Sequence, residues 1–483
     1  MPQWKTTISN LCTIYNHIHG IHLEMPSSLL LPSFKLFGTS GVRGYINRNV
    51  TPDFVAKMGL AFAISMGGKG KVAVARDVRP HSLAVQKAVE SGLMAGGVDV
   101  VDCGVAPTPS VLYFLLREGL DGAVVVTGSH TIAPIVGLLF FQRDGGEISP
   151  KDQLHVEKIY FKGKLVPVPW NRLGRYEMGS PLPHYEEAVI GLVNLKKVSG
   201  YRIVVDPGNG ASSACLAKVL SSAGCHVWAI NDVPDGRFPN RPPYPRREVL
   251  ASLIKEVRER KADLGVATDG DGDRAVFVTE KGKVVWGDVT GALFAREELR
   301  ERPGGTVVTS INSSDLIHDV CRGKGKIVVT RVGPPAIIDA LRNDVNAVFG
   351  FEETGKFIWP GSLLYGDCAL STLKMLSLMN GLGMSLHEAK EDLPRYHMIK
   401  RAYRCSESLK GPLLQKVYES LKKEGVSLST TDGVKARYPD GSWLLLRPSG
   451  TEPFFRCYAE ARSAHRALEL ARHGLRLIRE ASS

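Results

Sequence analysis

A chain of 483 residues with 43% hydrophobic and 23% charged side chains has an ordinary globular composition and is too long for a single core. Its net charge of +12 is spread along the chain rather than gathered in a basic arm, which argues against a nucleic-acid partner and suits small anionic substrates. No apolar run is long enough for a membrane span, no secretory signal is visible and the eight cysteines form no C-x-x-C pair, so we expect a cytoplasmic protein without a membrane or zinc.

The first 33 residues show neither helical nor strand periodicity, and we expect residues 1–33 to be a poorly ordered extension. The first motif is FGTSGVRG at residues 37–44. Its three glycines let the backbone curl around a ligand, and Arg43 can bind an anion through two parallel hydrogen bonds. A proline-started helix is predicted directly afterwards, from Thr51.

A strand, a polar turn and a helix recur three times along the chain, roughly 100 residues apart. The three strands are predicted over Val72–Ala75, Ile203–Val205 and Val307–Thr309. This recurrence predicts three related α/β domains, each a mixed sheet with helices on both faces, followed by a smaller α+β domain. The predicted units are an extension over 1–33, α/β domains over 34–170, 171–287 and 288–394, and the α+β domain over 395–483.

The segment TGSH at residues 127–130 follows a predicted buried strand that ends at Val126. Loops at strand ends commonly carry active sites. Taken alone, however, Gly-Ser-His is more often a turn with a capping hydroxyl. It is not the nucleophile elbow of an esterase, because that turn needs glycine where Thr127 stands.

The second polar loop is DGDGDR at residues 269–274, between two predicted strands. Carboxylates at alternate positions of a glycine-relaxed loop can converge on one hard cation, and Mg²⁺ is the natural occupant when phosphate is another ligand. An EF-hand is rejected because Arg274 stands at its obligatory glycine and the flanks are strands rather than helices. A solvated acidic turn remains the alternative for this loop.

Two further loops complete the set. GFEETGK at residues 350–356 places adjacent carboxylates on a turn, where they can accept hydrogen bonds from neighbouring sugar hydroxyls. RPSGTEP at residues 447–453, with Arg456 beyond it, combines guanidinium groups, hydroxyls and backbone amides as in a phosphate-binding site. Either loop alone could be an ordinary surface turn.

Together and in this order, the four loops resemble the motifs of the α-D-phosphohexomutase family, over about residues 34–480. The resemblance implies four domains around a central cleft, each contributing one loop. It also implies reversible phosphoryl transfer between the 1- and 6-positions of glucose or mannose phosphates. The reaction would use Mg²⁺, a phosphoserine enzyme and a hexose 1,6-bisphosphate, which serves as intermediate and activator, in a monomer or homodimer.

The resemblance also assigns roles to residues. Ser129 would be the phosphorylated nucleophile, and Arg43 and Arg274 would stabilise the phosphoryl group during transfer. The residues expected to take part in catalysis are Ser129, His130, Arg43, Arg274 and Lys356. Those expected at the metal are Ser129, Asp269, Asp271 and Asp273. Those expected to bind the sugar and its second phosphate are Thr330, Gly333, Glu352, Thr354, Arg447, Ser449, Gly450, Thr451 and Arg456.

The sequence departs from the family pattern at Thr131 and Ile132 after the histidine, at Val136 before Gly137, and at three positions that bear on proton transfer. Leu139 stands at the usual lysine, Pro334 at a common histidine or aspartate, and Lys356 at the histidine that closes the sugar loop. The proton acceptor is therefore open between Lys356, His130 and Glu352. A phosphoglucosamine mutase, a non-catalytic paralog that binds sugar phosphates, and a phosphatase with the same phosphoserine step are the alternative functions.

Overall fold

The computed structural model describes residues 36–163, 165–450 and 452–482. The extension predicted over 1–33 and the phosphate ligand predicted at Thr451 lie outside the described residues. Within them the predicted fold class is confirmed: three α/β domains with mixed sheets are followed by a smaller α+β domain. None of the helices described is long and apolar enough to cross a membrane.

The first domain is built on a six-stranded sheet in the order β1-β5-β4-β2-β3-β6. Its inner strand β4 has the sequence GAVVV and is buried along its whole length, as expected for a β-branched strand covered on both faces. The strands are β1 (Val42–Tyr45), β2 (Lys71–Arg76), β3 (Asp99–Val105), β4 (Gly122–Val126), β5 (Ile135–Gln142) and β6 (Tyr176–Met178). The helices are α1 (Pro52–Ser65), α2 (Ser82–Ala95), α3 (Thr108–Glu118) and α4 (Pro150–Phe161).

The second domain has a five-stranded sheet in the order β11-β10-β9-β7-β8. Its elements are α5 (Pro181–Gly191), β7 (Arg202–Asp206), α6 (Leu216–Ser222), β8 (His226–Ala229), α7 (Ala251–Glu259), β9 (Leu264–Thr268), β10 (Ala275–Thr279) and β11 (Val284–Val285). The third has a four-stranded sheet in the order β13-β12-β14-β15. Its elements are α8 (Gly287–Glu301), β12 (Thr306–Ser310), α9 (Leu316–Cys321), β13 (Lys326–Thr330), α10 (Pro334–Asn343), β14 (Ala347–Glu352), β15 (Lys356–Ile358), α11 (Cys368–Leu382) and α12 (Leu386–Glu391).

The three α/β sheets share one local topology that positions the site. In each, the central strands are parallel and the last of them turns back into an antiparallel neighbour: β4 into β5, β9 into β10 and β14 into β15. The three connecting turns hold Ser129, the three aspartates of residues 269–273, and Thr354. Equivalent turns of three related domains therefore carry the three predicted loops.

The fourth domain is an antiparallel five-stranded sheet in the order β16-β20-β19-β18-β17, with two helices. Its elements are β16 (His397–Arg404), α13 (Glu407–Lys423), β17 (Ser427–Ser429), β18 (Val434–Arg437), β19 (Trp443–Pro448), β20 (Phe454–Ala461) and α14 (Ala464–Ser482). Strand β19 ends in Arg447 and Pro448, so the predicted phosphate loop begins directly from a buried strand.

Two local features add detail to the expectations. The turn predicted within 350–356 is confined to residues 353–355, because Glu352 ends β14, Lys356 begins β15, and these two residues face each other in the pairing. Strand β6 lies beyond the expected boundary at residue 170, yet it pairs with β3 of the first sheet. The predicted domain boundaries remain predictions.

Candidate active site

Ser129 lies on a tightly held turn after β4. Its backbone φ of +48° falls in the left-handed region that non-glycine residues rarely adopt, which indicates a conformation imposed by the surroundings. The Ser129 Oγ donates to the Asp269 carboxylate at 2.9 Å and lies 3.2 Å from His130 Nδ1. The side chain is almost completely buried. The predicted nucleophile and the first predicted metal ligand are thus in direct contact.

A buried ion pair between Asp77 and Arg79 holds this turn in place. The Asp77 carboxylate accepts hydrogen bonds from Thr127 Oγ1 at 2.9 Å and from the Gly128 amide at 3.0 Å. The Arg79 guanidinium pairs with Asp77 and donates to the Ser129 carbonyl at 3.2 Å. Residues 76–82 form the polar turn after the first of the three recurrent strands, and none of them was predicted to belong to the site. The signal available there was a D-x-R sequence directly after a buried strand.

We expect Arg79→Met to lower the free energy of unfolding by about 3–5 kcal/mol, because Asp77 would remain buried without its counter-ion. Equilibrium unfolding in urea, followed by intrinsic fluorescence, measures this change. Arg117→Met is the matched control, since Arg117 pairs with Glu187 at the surface and such pairs contribute about 0–1 kcal/mol. Equal effects of the two substitutions would contradict a structural role for the buried pair.

Asp269, Asp271 and Asp273 form a buried carboxylate cluster. Their ligand oxygens lie within 4.8 Å of one another, and the Oδ1 atom of each has no hydrogen-bond partner among the described residues. Burial and the neighbouring carboxylates raise the pKa of Asp269 well above its usual range and that of Asp271 to about 6. Oxygen donors crowded in this way fit a hard divalent cation, which would neutralise their mutual repulsion.

Lys356 lies in the same cluster, below the cleft, rather than on an exposed sugar loop. Its Nζ is 2.7 Å from Asp273 Oδ2 and 3.9 Å from the centre of the Tyr365 ring. Although burial opposes ionisation, Lys356 and Arg274 lower the pKa of Asp273. Because the Asp273 carboxylate holds its Nζ, this geometry favours an electrostatic role for Lys356 over a role as base.

Arg43 and Arg274 extend into the cleft beside this cluster. Arg274 Nε is 3.6 Å from both Asp269 and Asp273, while its Nη1 and the Nε of Arg43 lack hydrogen-bond partners among the described residues. Buried donors without partners are suited to an incoming anion. Burial, Arg274 and Arg43 lower the pKa of His130 well below its usual range, so this imidazole is neutral at pH 7.

The two adjacent glutamates of the sugar loop have different surroundings. Glu352 lines the cleft with Thr354, whose buried hydroxyl has no hydrogen-bond partner among the described residues. Glu353 also lines the cleft, but its carboxylate is bound by the Trp286 indole N–H at 2.8 Å and by the Lys400 ammonium at 2.5 Å. Glu352 and Thr354 therefore remain the groups of this turn available to a ligand.

Thr330 and Gly333 do not line the cleft, whereas their neighbours Val332 and Pro334 do. The Thr330 hydroxyl donates to the Arg331 carbonyl at 2.9 Å, within its own segment. Gly333 has a φ of +128°, and a Cβ atom there would come within 2.4 Å of the Thr39 carbonyl oxygen. The absence of a side chain at Gly333 therefore allows the first and third domains to approach each other closely.

The phosphate loop of the fourth domain presents Arg447, Ser449 and Arg456 to the cleft. Arg447 is fixed by Asp432 at 3.0 Å, and its buried Nε has no hydrogen-bond partner among the described residues. Gly450 approaches the Thr39 side chain across the cleft. The buried Lys410 ammonium supports the loop from below, donating to the carbonyls of Ser449 at 2.6 Å and Glu452 at 3.0 Å. Sequence analysis missed Lys410.

The cleft has a volume of about 1120 Å³ and is lined by side chains from all four domains. Among the cationic side chains that line it are the four arginines predicted to bind phosphate groups, which lie at two places. Arg43 and Arg274 stand near Ser129, while Arg447 and Arg456 belong to the fourth domain. This arrangement can hold a small molecule that carries two separate anionic groups.

Comparison with known proteins agrees with this architecture. Four successive domains of phosphoglucomutase/phosphomannomutase match residues 35–166, 183–282, 286–396 and 404–475. A phosphoglucomutase/phosphomannomutase of Thermococcus kodakarensis is 37% identical, over 92% of this chain and 99% of its own length. A probable phosphoglucosamine mutase of Methanopyrus kandleri is 38% identical, over 92% and 98%.

A solved structure supports the same assignment. The crystal structure of a phosphoglucomutase/phosphomannomutase family protein from Burkholderia thailandensis has a TM-score of 0.80 and 27% identity, covering 95% of this chain and 98% of its own. Sequence and fold therefore agree across the four domains, and the chain belongs to the phosphoglucomutase/phosphomannomutase family, the α-D-phosphohexomutases.

Proposed function

We propose that this protein is a phosphohexose mutase that transfers a phosphoryl group between the 1- and 6-positions of a hexose phosphate through phosphorylated Ser129. The observation that carries the proposal is the contact between Ser129 Oγ and Asp269, within a buried aspartate cluster at the base of the cleft. A protein that only binds sugar phosphates needs neither a buried hydroxyl on a strained turn nor such a cluster.

In this mechanism the phosphoryl group resides on Ser129 Oγ, and a sugar hydroxyl attacks it in line. Arg43 and Arg274 donate to the oxygens of the transferring group, on which negative charge is spread. His130, neutral at pH 7, orients Ser129 Oγ. The near-complete burial of the Ser129 side chain limits contact of the phosphoserine with bulk water, so that hydrolysis competes less with transfer to the sugar. Lys356 stabilises the cluster through Asp273.

The residues that would hold Mg²⁺ are Asp269, Asp271 and Asp273, together with an oxygen of the group on Ser129. Their oxygen-only donor set and three unpaired Oδ1 atoms fit this ion. When bound, the ion would supply positive charge that stabilises the phosphoryl oxygens during transfer.

The substrate would span the cleft. Glu352 and Thr354 would accept and donate hydrogen bonds to the sugar hydroxyls, with Thr330 and Gly333 shaping the wall from behind. Arg447, Ser449, Gly450 and Arg456 would bind the phosphate that is not being transferred, and we propose the same for Thr451. After the first transfer, the hexose 1,6-bisphosphate would turn over in the cleft and return its other phosphate to Ser129.

Glucose and mannose phosphates are the substrates we favour, in line with the name of the Thermococcus kodakarensis relative. Glucosamine phosphate is the second candidate, because the similarly close Methanopyrus kandleri relative is named a probable phosphoglucosamine mutase. Isomerisation and release of inorganic phosphate should be assayed side by side with the three sugar 1-phosphates and Mg²⁺. We expect isomerisation with little release. Release of phosphate without isomerisation would indicate a phosphatase. Binding of the sugar phosphate with neither isomerisation nor release would indicate a non-catalytic paralog.

The phosphate loop yields a separate prediction. Arg447→Ala should lower kcat/KM roughly 30-fold, which corresponds to about 2 kcal/mol of lost transition-state stabilisation. Most of the change should appear as a higher KM, because the substitution removes a charge-assisted contact to the distant phosphate. Steady-state kinetics with hexose 1-phosphate measure the change. Arg472→Ala, an exposed position on α14 of the same domain, is the control and should leave the kinetics unaltered. Parent-like kinetics of Arg447→Ala would show that the phosphate binds elsewhere.

A further inference from the structure

Glu147 is a buried carboxylate beside the active site that the mechanism above does not use. It lies after β5 and is 1% exposed. Its oxygens accept hydrogen bonds from Ser40 Oγ at 3.0 and 3.2 Å and from the Gly41 amide at 2.9 Å. Ser40 in turn lines the cleft. A hydroxyl group therefore connects a carboxylate inside the protein with the space in which the substrate would lie.

The turn that carries Ser40 lies where three domains meet. The Thr39 carbonyl closely approaches Gly333 of the third domain, and a Cβ atom on Gly450 of the fourth would be 3.7 Å from Thr39 Cγ2. Arg43 follows on the same segment and also lines the cleft. Ser40 thus lies on a segment that approaches the phosphate loop at Thr39 and that carries, at Arg43, a group proposed to stabilise the transferring phosphoryl.

The electrostatic surroundings suit a group that both takes up and returns a proton. Burial raises the pKa of Glu147 to about 7, although Lys356 and Arg43 act in the opposite direction. The Tyr365 phenol also faces this carboxylate, and Arg342 donates to the Glu147 backbone carbonyl at 3.3 Å. A general base is most effective when its pKa lies near the working pH.

Two of the three other candidate proton acceptors, Lys356 and His130, are less well suited to this role, and the third, Glu352, is assigned above to binding the sugar hydroxyls. Lys356 is paired with Asp273, and the pKa of His130 is lowered by burial and by the cations around it. Leu139, behind the same turn, is apolar and packs against Gly41. Glu352 lines the cleft, where its carboxylate is available to accept bonds from the sugar hydroxyls.

We propose that Ser40 and Glu147 form a proton relay that deprotonates the sugar hydroxyl attacking phosphorylated Ser129, and that returns the proton when the opposite transfer occurs. This inference rests on the proposed mutase function. It adds a catalytic hydroxyl at Ser40 and a positioning and proton-holding carboxylate at Glu147 to the residues of the cleft.

Protons and the phosphoryl group are conserved over the two half-reactions. The sugar hydroxyl gives its proton to Ser40 Oγ while the Ser40 proton moves to Glu147, and the sugar oxygen bonds to phosphorus. The bond between phosphorus and Ser129 Oγ breaks with its electron pair on Oγ, which takes a proton from solvent. In the second half-reaction Ser129 loses that proton to solvent as it attacks the other phosphate. The departing sugar oxygen then receives the Glu147 proton through Ser40.

The test is rapid-quench transfer of labelled phosphate from the phosphoenzyme to glucose 6-phosphate, over a pH range that brackets neutrality. In the unaltered protein the rate should fall as the pH drops through about 7, because protonated Glu147 cannot accept a proton. Glu147→Gln should lower the transfer rate by roughly 10²–10⁴-fold and abolish this limb of the profile. Titration of the sugar phosphate itself affects every variant alike.

Two further variants separate the relay from a purely structural role. Ser40→Ala leaves the Glu147 bond to Gly41 in place but interrupts the relay, so it should reproduce the loss in transfer rate. Glu157→Gln is the matched control. Glu157 is another buried carboxylate that accepts from the amides of Leu36 and Phe37 on the same segment, and its variant should retain both rate and profile.

Bisphosphate affinity and thermal unfolding are measured on each variant. A Glu147→Gln protein that keeps the phosphoryl-transfer rate and its fall at acidic pH would overturn the relay. If Glu147→Gln fails to fold, a Ser40→Ala protein with an unchanged transfer rate would overturn it instead. If Glu157→Gln loses as much transfer rate as Glu147→Gln, the loss would reflect structural support of the turn, and the relay would likewise be overturned. Absence of transfer in the unaltered protein would instead overturn the proposed function, and the relay with it.

Discussion

Ser129→Ala is expected to lower mutase turnover by roughly 10⁴-fold or more and to leave a folded protein. The loss follows because the hydroxyl would be the covalent carrier of the phosphoryl group. The fold should persist because the turn is held by Asp77 and Arg79 through backbone groups and Thr127, not through the Ser129 hydroxyl. Coupled assays of hexose 1-phosphate conversion, with thermal unfolding alongside, measure both effects.

The control for this variant lies two residues further along the same turn. Thr131 donates only to the Gly128 carbonyl at 2.6 Å, so Thr131→Ala removes a local hydrogen bond without removing a reacting group. We expect a loss of about 1 kcal/mol in stability and little change in turnover. Substantial turnover in Ser129→Ala would mean that phosphate does not pass through this serine.

The second large effect is expected from Asp271→Asn, which preserves shape but removes one charge of the aspartate cluster. The hydrogen bond from Thr108 Oγ1 at 3.1 Å can be retained by the asparagine oxygen, so folding should be unaffected. Turnover should fall by roughly 10²-fold or more, since a bound divalent ion supplies several kcal/mol of stabilisation to the transferring charge.

Metal binding itself provides a measurement independent of turnover. Added Mg²⁺ should raise the unfolding temperature of the unaltered protein, because a ligand that binds only the folded state stabilises it. The rise should be much smaller for Asp271→Asn and unchanged for Asp263→Asn, which alters a surface carboxylate paired with Arg202. An equal rise in the two variants would place the ion away from the aspartate cluster.

The four loops were predictable because each is a continuous stretch of sequence at the end of a strand. Recurrence of strand, turn and helix also indicated the three α/β domains. Strand β16 was not predicted, because its sequence HMIKRAYR is rich in charged residues and lacks the apolar run of a buried strand. Pairing with β20, far along the chain, establishes it as a strand.

Contacts between distant residues account for what sequence analysis missed. Lys356 lies against Asp273, 83 positions earlier, and that contact favours a fixed positive charge over the role as base that the sequence had left open for it. Arg79 supports Ser129 across 50 positions, and Glu147 meets Ser40 across 107. No local pattern reports such pairs, because they arise only when separate strands of one sheet, or separate domains, come together.

The phosphorylation state of Ser129 before and after contact with substrate tests the central claim most directly. Intact-mass spectrometry of the protein, loaded with glucose 1,6-bisphosphate and freed of excess ligand, should show one added phosphoryl group that is missing in Ser129→Ala. A chase with glucose 6-phosphate and Mg²⁺ should remove that group and yield the 1,6-bisphosphate. A protein that never gains the group, or that passes it to water rather than to the sugar, would contradict the account.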